Sequence, residues 1–121
     1  MEKPHRRLEV WQWSMDLTMM IYELTKGFPS EEKFGLISQM RRAAVSIASN
    51  IAEGAARHSA TDYARFLTMA LGSLSGLDTQ LELARRLGYC SDSRFQELDE
   101  KQASISRMLI ALRKSIVRGS G

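Results

Sequence analysis

Two histidines, one cysteine and a scatter of carboxylates are the residues of this 121-residue chain best equipped for covalent or metal chemistry. His5 lies in an N-terminal tail and His58 in a connection between helices, and neither has a neighbour that completes a metal site or an activated nucleophile. Cys90 follows Tyr89 in a turn, with no Cys-His pattern to make its thiolate useful. Asp78 and Glu82 stand one helical turn apart, a spacing that ordinary helix surfaces carry routinely. The Glu-x-x-His spacing of a di-iron bundle is absent. Gly72 and Gly76 fall inside a helix with no strand before it, which is wrong for a phosphate loop. These spacings predict a protein that is not an enzyme and that uses no metal and no cofactor.

A second group of polar residues is more ordered. In RRAAVSIASNIAEG, Arg41 to Gly54, a ladder of Arg42, Ser46, Asn50 and Glu53 continues to Arg57 and takes in Ser49. At 3.6 residues per turn these share about a third of the helix circumference, apart from the seam of Ile37, Ala44, Ile47 and Ile51. Three readings compete. The ladder is a solvated face, or it lies in a subunit interface or lumen where Arg42 and Glu53 fix register, or Arg42 and Arg57 hold phosphate with Ser46 and Asn50 as neutral donors. Serine and asparagine are mediocre helix formers, and an indifferent solvent face would tolerate Glu, Lys and Gln instead. That choice favours the interface reading.

The elements that must position these residues are all helical. Prolines occur only at Pro4 and Pro29, outside helix interiors. The apolar period predicts a first helix over about 8–26, stopped by Gly27 and Pro29. Ser30 should cap a second helix running to about Arg57, with Glu31 and Glu32 in its first turn. Ser59 with Asp62 starts a third helix that ends at Gly88, a candidate left-handed cap. Ser91 with Asp92 opens a fourth, reaching about Arg118. Core stripes alternate spacings of four and three: Val10, Trp13, Leu17, Met20 and Leu24; Ile37, Met40, Ala44, Ile47 and Ile51; Tyr63, Leu67, Ala70, Leu74, Leu77, Leu81 and Ala84; Phe95, Leu98, Gln102, Ile105, Leu109, Leu112 and Ile116. Short connections make successive helices antiparallel. The prediction is an all-α, up-down-up-down four-helix bundle over residues 8–118, with a basic tail at 1–7 and a flexible end at 119–121.

The first helix carries more apolar surface than one bundle can bury. Opposite its core stripe stand Trp11, Met15, Met19 and Tyr22, and the polar strip is narrow: Gln12, Asp16 and Glu23. A helix apolar nearly all round is normally buried nearly all round, so a sister subunit is expected to cover the second stripe. Gly72 and Gly76, with Ser73 and Ser75 between them, make a smooth patch on the third helix. Each interior glycine costs about 1 kcal/mol relative to alanine, so a packing reason is expected there too.

Hydrophobic residues form 44% and charged residues 26% of the chain, the profile of a folded globular domain rather than a disordered segment. No apolar run approaches membrane-spanning length, and no apolar h-region follows the basic N-terminus. A single cysteine permits no internal disulfide, so a reducing, cytoplasmic setting is expected. The net charge of +3 permits RNA, DNA or an acidic protein as partner. Twelve of the seventeen basic residues are arginine, which suits forked contacts to phosphate or carboxylate. If nucleic acid is the partner, Arg85, Arg86, Arg113, Lys114 and Arg118 should gather on one rim. If they scatter, a protein-binding scaffold is favoured.

The phrases LEVWQWSMDL, FPSEEKFGLISQMRRAAVSIASNIAEG and ARFLTMALGSLSGLDTQLELARRLGY resemble a bacterial four-helix-bundle family encoded in intervening sequences of large-subunit ribosomal RNA genes. The likeness runs from about Leu8 to Val117. Two departures stand out: family members usually carry proline where Ala48 stands and a carboxylate near Gly76. The resemblance implies a homopentameric, barrel-like ring. It extends distantly to the accessory variability determinant of diversity-generating retroelements, a basic pentamer that binds nucleic acid and a reverse transcriptase. It therefore implies self-association, with RNA, DNA or another protein as further partners.

Overall fold

In a computed structural model of the chain, which describes residues 3–120, four helices close into one antiparallel bundle. They are α1 (Glu9–Thr25), α2 (Leu36–Ala55), α3 (Ala60–Arg86) and α4 (Asp92–Ser120). Helices α1 and α2, α2 and α3, α3 and α4, and α4 and α1 pack together, and α2 with α3 is the most extensive pair. Among the described residues α1 and α3 do not meet, so they stand diagonally across the core.

The core follows the predicted stripes, with the full burial of Leu17, Met40, Ile47, Ile51, Leu67, Leu77, Leu81, Leu98, Ile105 and Leu109. Burial of one such side chain contributes about 1.5–3 kcal/mol. The stripe of α1 is rotated from the expected one. Its buried line is Val10, Ser14, Leu17, Ile21, Leu24 and Thr25, while Trp13 and Met20 move to the edge against α4. Ser14 and Thr25 can be buried because their hydroxyls donate back to the carbonyls of Val10 and Ile21, each at 2.8 Å. Thr18 reaches across to the Ala44 carbonyl at 3.2 Å, drawing α1 onto α2.

The helix ends correct several expectations. The second helix does not begin at Ser30: Ser30–Glu32 form a 3-10 turn and the α-helix starts at Leu36. The Glu32 carboxylate, not Ser30, caps it. One Glu32 oxygen accepts from the Leu36 N–H at 3.2 Å and the other from the Tyr89 hydroxyl at 3.1 Å. A Cβ on Gly35 would stand 2.9 Å from that carboxylate, so glycine keeps the capping position open. Ser59 caps α3 as expected, accepting from the Asp62 N–H at 3.1 Å, and Ser91 accepts from the Arg94 N–H at 3.2 Å. Gly88 has φ of +82°, and the N–H groups of Gly88 and Tyr89 return to the carbonyls of Arg85 and Ala84. This left-handed turn closes α3.

The two ends assigned to tails are also more ordered than expected. Pro4–Arg7 form a 3-10 turn packed on α1 and α2, and α4 continues to Ser120. Residues 1, 2 and 121 of the predicted tails lie outside the described residues. No helix among those described is long and apolar enough to cross a membrane.

Candidate functional site

The outer face of α1 leaves a row of large apolar side chains uncovered. Met15, Met19 and Tyr22 are 40%, 69% and 37% exposed, and Val45 of α2, at 43%, faces them across a groove. Trp11 is better covered than expected. The N-terminal turn lays His5 against its ring, centroids 4.8 Å apart, and Arg6 above it at 5.8 Å. Tyr22 is held by Arg41, whose guanidinium lies 4.5 Å over the ring and donates to the Thr25 hydroxyl at 2.9 Å. The result is a rigid, mostly apolar ridge running the length of α1 with Val45, Ala48 and Ala52 beside it.

On α3 the pattern is different. A Cβ built on Gly72 or Gly76 would meet nothing within 4 Å, so neither glycine is needed for packing inside the chain. Exposed Met69 and Leu83 stand on the same side of the helix, Met69 three residues before Gly72 and Leu83 seven after Gly76. This smooth surface lies beside Ser73, on the α2 side of α3, so α2 stands between it and the α1 ridge.

The polar ladder divides. Its middle rungs are not set apart from the seam but tie α2 to α3: the Ser46 and Ser73 hydroxyls are 2.8 Å apart. The Asn50 amide donates to the Ser46 carbonyl and hydroxyl at 2.9 and 3.0 Å. One turn further, Gly54 lets α3 approach so closely that a Cβ there would sit 2.9 Å from the Phe66 Cβ. Short polar side chains occupy this line because α3 leaves no room for longer ones. Arg42, Glu53 and Arg57 remain exposed, and the Arg57 guanidinium lies 4.6 Å over Phe66.

The five basic residues whose gathering on one rim would favour nucleic acid are not together, which by that criterion favours a protein-binding scaffold. Arg113 donates to the Thr68 hydroxyl near the start of α3, whereas Arg85 lies over Phe95 near the start of α4. About 17 residues of α3 separate these levels, some 26 Å at the helical rise. The antiparallel topology itself forces the split, since the C-termini of successive helices lie at opposite ends. Arg85 and Arg86 are also engaged by Glu82, at 2.8 and 3.7 Å. These bonds hold the Glu82 carboxyl below its usual range, chiefly through the Arg85 hydrogen bond.

Arg113, Lys114 and Arg118 instead share their end with other cations: Arg57, Arg65 and the Arg6 of the N-terminal turn. The guanidiniums of Arg57 and Arg65 flank the same Phe66 ring, at 4.6 and 4.8 Å. No Asp or Glu follows Glu100 in the sequence, so the distal half of α4 is wholly basic or neutral. At the opposite end Glu31, Glu32, Glu82, Asp92 and Glu97 are balanced by Lys26, Lys33, Arg85, Arg86 and Arg94 around the two connections. The excess positive charge of the chain thus lies toward one end of the bundle.

Among the described residues no three His, Cys, Asp or Glu side chains are grouped to hold a metal. Cys90 is buried, and burial raises its thiol above the ordinary value, which disfavours the reactive thiolate.

Comparison with known proteins agrees with this architecture. A solved structure from Bacteroides thetaiotaomicron VPI-5482, described as a protein of unknown function from the S23 ribosomal protein family, superposes with a TM-score of 0.80 at 27% identity. The match covers 87% of this chain and 98% of that one. No curated protein matches the sequence. The family model of the 23S rRNA-intervening sequence proteins matches residues 6–111. A bundle of this topology, matched over nearly its whole length by that model, belongs to the 23S rRNA-intervening sequence protein family.

Proposed function

We propose that this protein is a non-catalytic, self-associating helical bundle, a scaffold or accessory factor whose copies meet through the outer face of α1. The observation that carries the reading is the apolar ridge of Met15, Met19, Tyr22 and Val45 left exposed by a fold whose core is already complete. Surfaces of this kind on soluble proteins mark interaction sites. The glycine-lined face of α3 is a natural receiver, since it is smooth, unfilled and separate from the α1 ridge. Two unlike faces on one chain make a head-to-tail contact, which closes into a ring when the rotation allows. Family resemblance sets the expected number of copies at five, in a cytoplasmic ring.

Light scattering tests it. The wild type should be an oligomer, and Met19→Glu should give a smaller species with unchanged helical circular dichroism. A Cβ at Gly72 meets nothing within 4 Å, so Gly72→Leu should fold normally and still block assembly. A monomeric wild type at tens of micromolar would overturn the proposal.

The basic end favours a second reading in which the assembly is associated with RNA or DNA. Arg57, Arg65, Arg113, Lys114 and Arg118 supply the forked donors that phosphate contacts use. Binding of RNA or duplex DNA should fall steeply with salt, and an Arg113→Ala/Lys114→Ala/Arg118→Ala variant should flatten that dependence. Absence of binding at low salt would leave the scaffold reading alone.

A further inference from the structure

We infer that the cleft between α3 and α4 is a binding site for a small organic cation bearing a primary ammonium group. The cleft has a volume of about 310 Å³ and lies away from the α1 ridge, with Leu71 and Leu74 contributing its apolar wall. Its distinguishing member is Gln102. This side chain occupies a seam position of α4 between fully buried Leu98 and Ile105, and only 4% of the residue is exposed. Yet among the described residues neither its amide oxygen nor its amide nitrogen has a hydrogen-bond partner. Leaving a buried polar group unpaired costs about 1–3 kcal/mol, and leucine would fit the same seam without that cost. The amide oxygen is therefore an acceptor for a donor group that enters the cleft.

The surroundings specify the partner's charge. The antiparallel register set by Arg113 on Thr68 and Arg85 on Phe95 places Asp78 at the level of Gln102. Asp99 stands about one turn to one side, and Ser75 and Ser106 about one turn to the other. Neither aspartate has an ion-pair partner among the described residues. The nearby Lys101 points to another face, where it pairs with Asp16 at 3.6 Å and lies 4.1 Å over Trp13. Two uncompensated carboxylates attract a cation and repel an anion. An ammonium group donates three hydrogens, matching the carboxylates, the Gln102 carbonyl and the serine hydroxyls. A short alkyl body would lie on the leucine wall. A divalent metal fits poorly, because hard cations want six or more oxygen ligands and no cluster of three metal-binding side chains occurs here.

The test is a titration of the ¹⁵N-labelled full-length chain with 1,4-diaminobutane, following the side-chain NH₂ signals of Gln102. Tetramethylammonium chloride at equal ionic strength is the control, since it carries charge without a donor. The expected result is a saturable shift with the diamine and none with the control. Asp78→Asn/Asp99→Asn should weaken binding by about ten-fold or more. Gln102→Leu should abolish saturable heat in calorimetry while remaining folded. Gln102 signals unmoved at tens of millimolar diamine, equal shifts with both salts, or undiminished binding by Gln102→Leu would each overturn the inference.

Discussion

Two seams of this bundle place polar side chains between helices and treat them oppositely. Between α2 and α3 the backbones close in at Gly54, and Ser46, Ser73 and Asn50 satisfy one another in the narrow space. Between α3 and α4 the helices leave a cleft, and Gln102 lines it with a buried amide that has no partner. The same class of residue is a hydrogen-bonded spacer in one seam and an uncompensated cost in the other. Separation of the helices, more than polarity of the sequence, decides which.

The strongest way to break the tight seam is Gly54→Val, which drives a branched side chain into Phe66 and Tyr63. Overpacking of this kind costs about 1–3 kcal/mol or more, and urea unfolding should show a lowered midpoint. A midpoint equal to the wild type's would mean that α3 can retreat freely. Gln102→Leu works in the opposite direction, replacing an unpaired amide with an apolar side chain of similar reach. It should stabilise the protein by about 1–3 kcal/mol in the absence of ligand. Ser46→Ala should be milder, a loss of about 1 kcal/mol, because Asn50 keeps its bond to the Ser46 backbone carbonyl.

Smaller effects come from titration at the end where the connections meet. Tyr89 is shifted upward, first by desolvation and then by its bond to Glu32. A raised phenol stabilises the fold below its unfolded pKa, near 10, and loses that contribution as pH rises through the folded value. Alkaline titration should therefore loosen this end, and Tyr89→Phe should remove the dependence. Glu82 is shifted downward by Arg85, so its contribution is present above the ordinary glutamate range and disappears as pH falls through the depressed value. Both groups are solvent-accessible, so added salt should shrink the Glu82 effect first.

Most of the fold was legible because period and capping are local. The α3 and α4 boundaries follow from Ser59, Gly88 and Ser91, whose hydrogen bonds span a few residues. The break before Leu36 was not legible, since it depends on Glu32 holding both a neighbouring N–H and a phenol 57 residues away. The rotation of α1 escaped for a related reason. Ser14 and Thr25 look polar in sequence, yet their hydroxyls are spent on their own helix, so they bury as readily as alanine would. The exposed Met15, Met19 and Tyr22 were readable from spacing alone. The split of the five cations follows from the antiparallel order of the helices, which nearness to a helix end does not by itself reveal. Gly54 was missed because interior glycines draw notice when paired, as at Gly72 and Gly76, rather than singly.

The gathering of excess positive charge at one end also has a bulk consequence. A rod about 40 Å long that is positive at one tip and near neutral at the other is electrically lopsided, and in dilute buffer the charged tips of neighbouring molecules repel one another. At ionic strength near 0.01 M the Debye length is about 30 Å, against about 8 Å at 0.15 M. A second virial coefficient that is positive in dilute buffer and falls as salt is added is the macroscopic trace this charge placement should leave.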